Sequence, residues 1–108
     1  MTQRVVTANY PPSQETYSSP ATLAGSAGER TIYIDETTVK LPLIPETYTG
    51  QKLNFIAKGA LSNVIDFNNK TVNGELGSKT LQQYDTYTVF EHNGNWLGIN
   101  AILTVPRQ

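Results

Sequence analysis

KLPLIPETYTGQKLNFIAKG (residues 40–59), NVIDFNNKTVNGELGSKTLQQ (63–83) and YDTYTVFEHNGNWLGI (84–99) decide how this chain folds. Apolar residues alternate with polar ones at a period of two, the spacing that sends successive side chains to opposite faces of a strand. Leu53 and Phe55 share one face of 51–57, and Ile65 and Phe67 share one face of 63–67. In 84–92, Tyr87 and Val89 oppose Thr86, Thr88 and Phe90. Asn73-Gly74 and Asn93-Gly94 punctuate the pattern, and both residue types accept the positive φ that tight hairpins require. Asn93-Gly94 therefore joins 84–92 to a strand at 95–100, with 101–105 as a candidate extension.

The same period continues upstream. Ile32 and Ile34 share a face of 31–35, and Val39, Leu41 and Leu43 share a face of 38–43. Pro42 and Pro45 lack amide donors, so this second strand ends there or lies at a sheet edge. Thr49-Gly50, Lys58-Gly59 and Asn68-Asn69 mark further breaks, 70–72 is a short run, and 81–84 reads as a brief strand or a loop. About seven or eight short strands at this spacing predict an all-β fold, a small antiparallel β-sandwich or jelly-roll-like barrel. No internal repeat is visible.

Composition shifts near Gly28. Residues 10–28 hold three of the six prolines together with Ser, Thr, Ala and Gly, and show neither helical nor strand periodicity. That composition predicts an extended arm over 1–28 attached to a β domain over 29–108. Val5, Val6, Tyr10 and Tyr17 are the arm's candidate anchors on a neighbouring subunit, and Trp96 is the candidate anchor of the core.

The chain has 108 residues, enough for one domain that buries roughly two-thirds of its unfolded surface. Hydrophobic residues make up 38% and charged residues 16%, both below the usual ~45–50% and ~25%. So thin an apolar supply predicts a small core supplemented by burial between copies. The net charge is −1 with no Lys/Arg stripe, which argues against nucleic acid as a partner. No apolar run approaches the ~20 residues of a membrane-spanning helix. The first residues lack the apolar centre of a signal peptide, so export by that route is not expected. With no cysteine there is neither a disulfide frame nor thiol chemistry.

The inventory for catalysis is short. His92 is the lone histidine and sits beside a turn, where a solvated surface role outweighs that of a base with no orienting partner. Ser62 and Ser78 lack a nucleophile-elbow context. Asp35, Glu36, Glu46, Asp66, Asp85 and Glu91 are scattered, and nothing places two of them across a cleft as glycoside hydrolysis requires. The segment 66–69 gathers oxygen donors without the loop pattern of a calcium site. No cofactor or metal is expected. Tyr33, Tyr48, Tyr84 and Tyr87 fit half-buried strand positions better than a sugar-stacking platform.

Leu41-Pro42, Gly50-Gln51-Lys52-Leu53 with Phe55-Ile56, Val64-Ile65, Val72-Asn73-Gly74, Tyr87-Thr88-Val89-Phe90 and Gly94-Asn95-Trp96 follow in that order. This succession resembles a β module of tailed-bacteriophage fibre and head-decoration proteins, over about sixty residues. The resemblance implies a virion structural protein made in the host cytoplasm and carried on the virion surface, commonly as a homotrimer, without cofactor or catalysis. Its implied partners are further copies of itself and the major capsid protein or another virion protein. A tail-fibre or receptor-binding tip recognising host-surface carbohydrate is the competing expectation.

Overall fold

A computed structural model describes residues 13–25, 28–43 and 50–101. Every regular element in them is a strand. β1 (Ser13–Tyr17), β3 (Glu29–Ile34), β5 (Lys52–Ala57), β8 (Thr86–His92) and β9 (Asn95–Ala101) form a five-stranded sheet in the order β1-β3-β5-β8-β9. β2 (Ala21–Thr22), β4 (Thr38–Lys40), β6 (Asn63–Asp66) and β7 (Ser78–Leu81) form a four-stranded sheet in the order β2-β4-β6-β7. The all-β expectation holds.

The pairing is not wholly antiparallel, which corrects the expected architecture. β1, β3 and β5 pair in parallel, as do β2, β4 and β6. From β1 to β6 the chain alternates between the two sheets, so each strand pairs with the one two elements earlier. Parallel neighbours need a long crossover, and here the intervening strand in the other sheet supplies it. The winding then stops. β7 returns antiparallel beside β6, β8 antiparallel beside β5, and the β8–β9 hairpin completes the larger sheet.

Strand alternation explains the core. Ile32 and Ile34 of β3, Leu53, Phe55 and Ala57 of β5, and Tyr87 and Val89 of β8 are buried on one face of the larger sheet. Val39, Ile65 and Leu81 answer from the smaller sheet, and Leu23, Leu41, Phe67, Val72 and Trp96 join the same cluster. Each fully buried aliphatic or aromatic side chain contributes about 1.5–3 kcal/mol of transfer free energy. The two sheets therefore share one core.

Asn93 and Gly94 stand at φ 53° and 84°, the positive pair that closes the β8–β9 hairpin as expected. Asn73 and Gly74, at 54° and 83°, close a turn in which Val72 and Glu75 exchange backbone hydrogen bonds. That turn does not extend into a hairpin. Thr71 to Asn73 instead lie along β9: the Trp96 amide donates to the Thr71 carbonyl, and the Asn73 amide donates to the Trp96 carbonyl, each at 3.0 Å. The Asn73 side chain then accepts from the Gly98 amide at 3.0 Å and donates to its carbonyl at 3.1 Å. A side-chain amide thus stands in for a strand, and the β9 edge is covered at Trp96 and Gly98 where it would otherwise invite aggregation.

The 1–28 arm also differs from expectation over its described part. Residues 13–17 and 21–22 are strands in register with β3 and β4. Leu23 is buried and Tyr17 packs against the core. The stretch is extended, as its composition suggested, but it belongs to both sheets. Val5, Val6 and Tyr10 lie outside the described residues, as do Glu46, Tyr48 and 102–105.

Candidate functional site

Among the described residues Arg30, Gln51 and Asn63 are the buried polar ones, and the networks around Arg30 and Asn63 each have a structural task. The first lies between β1 and β3. Arg30 occupies an inward position of the period-two pattern and is nearly buried. Its guanidinium donates Nε to Glu15 Oε2 and Nη2 to Glu15 Oε1, both at 2.7 Å, and Nη1 to the Ala24 carbonyl at 2.6 Å. The Tyr17 hydroxyl donates to Glu15 Oε1 at 2.6 Å. The arrangement staples β1 and the segment after β2 onto β3.

The Arg30 hydrogen bonds hold the Glu15 carboxyl below its ordinary range, against the opposing effect of burial. Glu15 in turn holds Arg30 protonated to higher pH, while burial and then Glu15 push Tyr17 up. A carboxyl depressed in the folded state adds stability that is present above its unfolded pKa and is lost as pH falls through the folded value. Glu15→Gln should therefore flatten the loss of melting temperature between neutral pH and pH 3. The half-buried bidentate pair is worth about 1–2 kcal/mol at neutral pH. Equal acid sensitivity in wild type and Glu15→Gln would refute this role.

The second place is the corner between β5 and β6. Asn63 is fully buried. Its Oδ1 accepts from the Glu36 amide at 2.8 Å and the Gly59 amide at 3.1 Å. Its Nδ2 donates to the Gly59 carbonyl at 3.0 Å and the Leu81 carbonyl at 3.3 Å. One side chain thus ties together the turn after β3, the turn after β5 and the end of β7.

Four of the carboxylates weighed for catalysis, Glu36, Asp66, Asp85 and Glu91, are engaged in the same kind of work. Glu36 Oε2 accepts from the Ala60 amide at 3.0 Å, and Asp85 Oδ2 from the Gln82 amide at 3.0 Å. Asp66 Oδ1 accepts from the Asn68 amide at 2.8 Å, closing the turn whose oxygen donors suggested calcium, and Asn68 Nδ2 donates to the Leu41 carbonyl. Glu91 accepts from the Gly50 and Gly94 amides, which hold its carboxyl below the ordinary range. His92 is exposed, and its ring contacts the Asn93 side chain at 3.3 Å. Among the described residues no group of three or more His, Cys, Asp or Glu side chains could hold a metal ion.

Trp96 is 1% exposed and sits in the core cluster, its indole N–H without a hydrogen-bond partner among the described residues. The sequence alone does not single out Arg30 or Asn63, although each carries a usable signal, a polar residue at an inward position of a strand. Asn73 is legible there only as a turn residue.

The outward surfaces of the two sheets differ. Tyr33, Ile56, Phe90, Leu97 and Ile99 occupy outward positions of the larger sheet, with Leu97 47% and Ile99 54% exposed. Lys52 Nζ lies over the Phe90 ring and Lys58 Nζ over the Tyr33 ring, each 5.6 Å from the centroid. The smaller sheet presents Thr22, Thr38, Lys40, Asp66, Ser78 and Thr80, with Val64 as its apolar member. A shallow hollow of about 300 Å³ lies there against Pro20, Ala21, Thr22, Thr38 and Lys40.

No family model matches the chain, and no curated protein matches it. The fold is similar to part of a solved structure described as "Structure of a chaperone-substrate complex". The two superpose with a TM-score of 0.60 at 14% sequence identity, over 72% of this chain and 14% of the other. At that identity the likeness is one of fold. This chain spans about one-seventh of the length of the protein it resembles.

Proposed function

We propose that this protein is a non-enzymatic structural subunit of a tailed-bacteriophage virion, a trimeric capsid decoration or head-fibre protein that binds the capsid surface. The observation that carries the reading is the use made of its ionisable groups. Glu15, Glu36, Asp66, Asp85 and Glu91 each accept a hydrogen bond that fixes a strand or turn. Side chains that could otherwise serve a substrate are occupied in holding shape. The resemblance of 40–99 to phage surface modules supports the same reading, as does the partly apolar outer face of the larger sheet.

The proposed action is physical. Copies bury that face together, and residues 1–12 or the base of the assembly settle on the capsid. Linked weak contacts then act at raised effective concentration. Because β1 begins at Ser13, a truncation testing attachment must stop at residue 12, since removing 1–28 would delete two strands.

Tyr84 favours a second reading, a tail-fibre or receptor-binding tip for host-surface carbohydrate. This tyrosine is 72% exposed at φ 71°, an uncommon conformation for a bulky residue, and Leu61 in the loop between β5 and β6 is 77% exposed. Quantitative mass spectrometry of purified particles, with labelled electron microscopy, separates the two. Hundreds of copies on the head are expected for a decoration or head-fibre subunit. A few copies at the tail, with glycan binding by the isolated protein, would replace it with the tip.

A further inference from the structure

We infer that the outer face of the five-stranded sheet is where copies of this chain meet, with three faces turned inward about a common axis. This rests on the oligomeric part of the proposed function and names the surface responsible. Three observations lead to it.

The first is contrast between the sheets. Tyr33, Ile56, Phe90, Leu97 and Ile99 face outward on the larger sheet, whereas Val64 is the apolar outward residue of the smaller one. Leu97 pairs directly with Phe90 across β8–β9, which sets an exposed apolar side chain beside a half-buried aromatic ring. A monomer gains nothing from an apolar cluster there.

The second is charge. Glu29 and Lys52 lie 3.7 Å apart on this face and offset one another, while Lys58, over the Tyr33 ring, adds a second positive charge at its margin. Asn54 and Thr88 continue the row with hydrogen bonds among themselves and to Glu29. This row carries no net charge. With Lys58 as its one unbalanced charge, the face repels a copy of itself only weakly, and a strongly acidic or basic partner finds little match.

The third is size. Five strands at ~4.8 Å spacing make a face about 24 Å wide, and six residues at ~3.3 Å make it about 20 Å long. That flat area of about 480 Å² is modest beside the ~800 Å² of accessible surface that each partner buries in a standard interface, so contact beyond the face itself would strengthen the assembly. Three faces about 24 Å wide, set edge to edge around an axis, each stand about 7 Å from it, not far beyond half the ~10 Å at which packed sheets interdigitate. Four would stand about 12 Å away and leave a void. Three also brings the flanks of neighbouring sheets together, adding buried area at each corner.

Charge substitutions on the two sheets test this. Analytical ultracentrifugation of wild type is expected to give three times the 11.9 kDa chain mass. Leu97→Glu with Ile99→Glu should give single-chain mass at the same concentration, with an unchanged far-UV circular dichroism spectrum, because both residues are solvent-exposed within one chain. Thr80→Glu, on the outer face of the smaller sheet, should remain three-fold. A three-fold wild type that keeps its mass in the Leu97/Ile99 variant would overturn this interface while leaving the virion reading intact. A wild type of one-chain or two-chain mass would overturn it as well, the former removing the oligomer and the latter the trimer from the proposed function. Neither result depends on where the protein sits in a particle.

Discussion

Asn63→Ala is expected to lower the free energy of unfolding by about 3 kcal/mol, measured by urea denaturation. The physical reason is what the alanine leaves behind. The Glu36 amide loses its Oδ1 acceptor at 2.8 Å. The Gly59 amide keeps a second bond, to the Ile34 carbonyl at 3.3 Å, so its loss is smaller. The Gly59 and Leu81 carbonyls lose their Nδ2 donor in a buried corner. Each buried group left unpaired costs about 1–3 kcal/mol, and a domain of this size has about 5–15 kcal/mol in total.

The same corner makes Gly59→Ala comparably damaging by a different route. A Cβ there would stand 2.3 Å from Glu36 Cγ, 2.5 Å from the Glu36 backbone nitrogen and 2.6 Å from Asn63 Oδ1. The side-chain carbon can swing away, but the backbone nitrogen and the bonded amide cannot. Gly59→Ala and Asn63→Ala disrupt one shared set of contacts, so the double variant should lose clearly less than the sum of the singles. Full additivity would mean that Asn63 does not tie these turns together.

Trp96→Ala should cost about 3–5 kcal/mol, the range for removing a buried large aromatic. Trp96→Phe should cost far less, about 1 kcal/mol, because it keeps much of the packing and removes an indole N–H that has no partner among the described residues. Thermal denaturation followed by circular dichroism measures both. If Phe proved nearly as harmful as Ala, the indole N–H would have to be bonded and its removal would not be the benign step described.

How much of this was legible in the sequence follows from what a period of two reports. Alternation says which side chains point inward, and it placed Ile32, Ile34, Leu53, Phe55, Val89 and their strands correctly. It does not say which strand lies alongside. Antiparallel and parallel neighbours show the same alternation when one face is buried, so the winding between sheets left no mark. Repetition would have betrayed it, but the turns of the coil are unequal. Ser13 pairs with Arg30, 17 positions on, whereas Glu29 pairs with Lys52, 23 positions on. β1 escapes the pattern because SQETY pairs at a sheet edge and shows little apolar alternation.

The Asn-Gly turns were readable because positive φ leaves a residue-type signature. Asn73 shows the limit of that signal: its turn was legible, but the use of its side chain to cover β9 was not. The outer face of the larger sheet was half legible. Phe90 could be placed opposite Tyr87 and Val89, but the company it keeps with Leu97, Ile99, Ile56 and Tyr33 depends on strand order. No local pattern encodes that.

The proposed role requires copies of this chain to assemble, and its mass in solution is the most direct test. Sedimentation equilibrium of the purified protein, from low micromolar upward, should give a single species at three times 11.9 kDa. A stable species at 11.9 kDa across that range would contradict it.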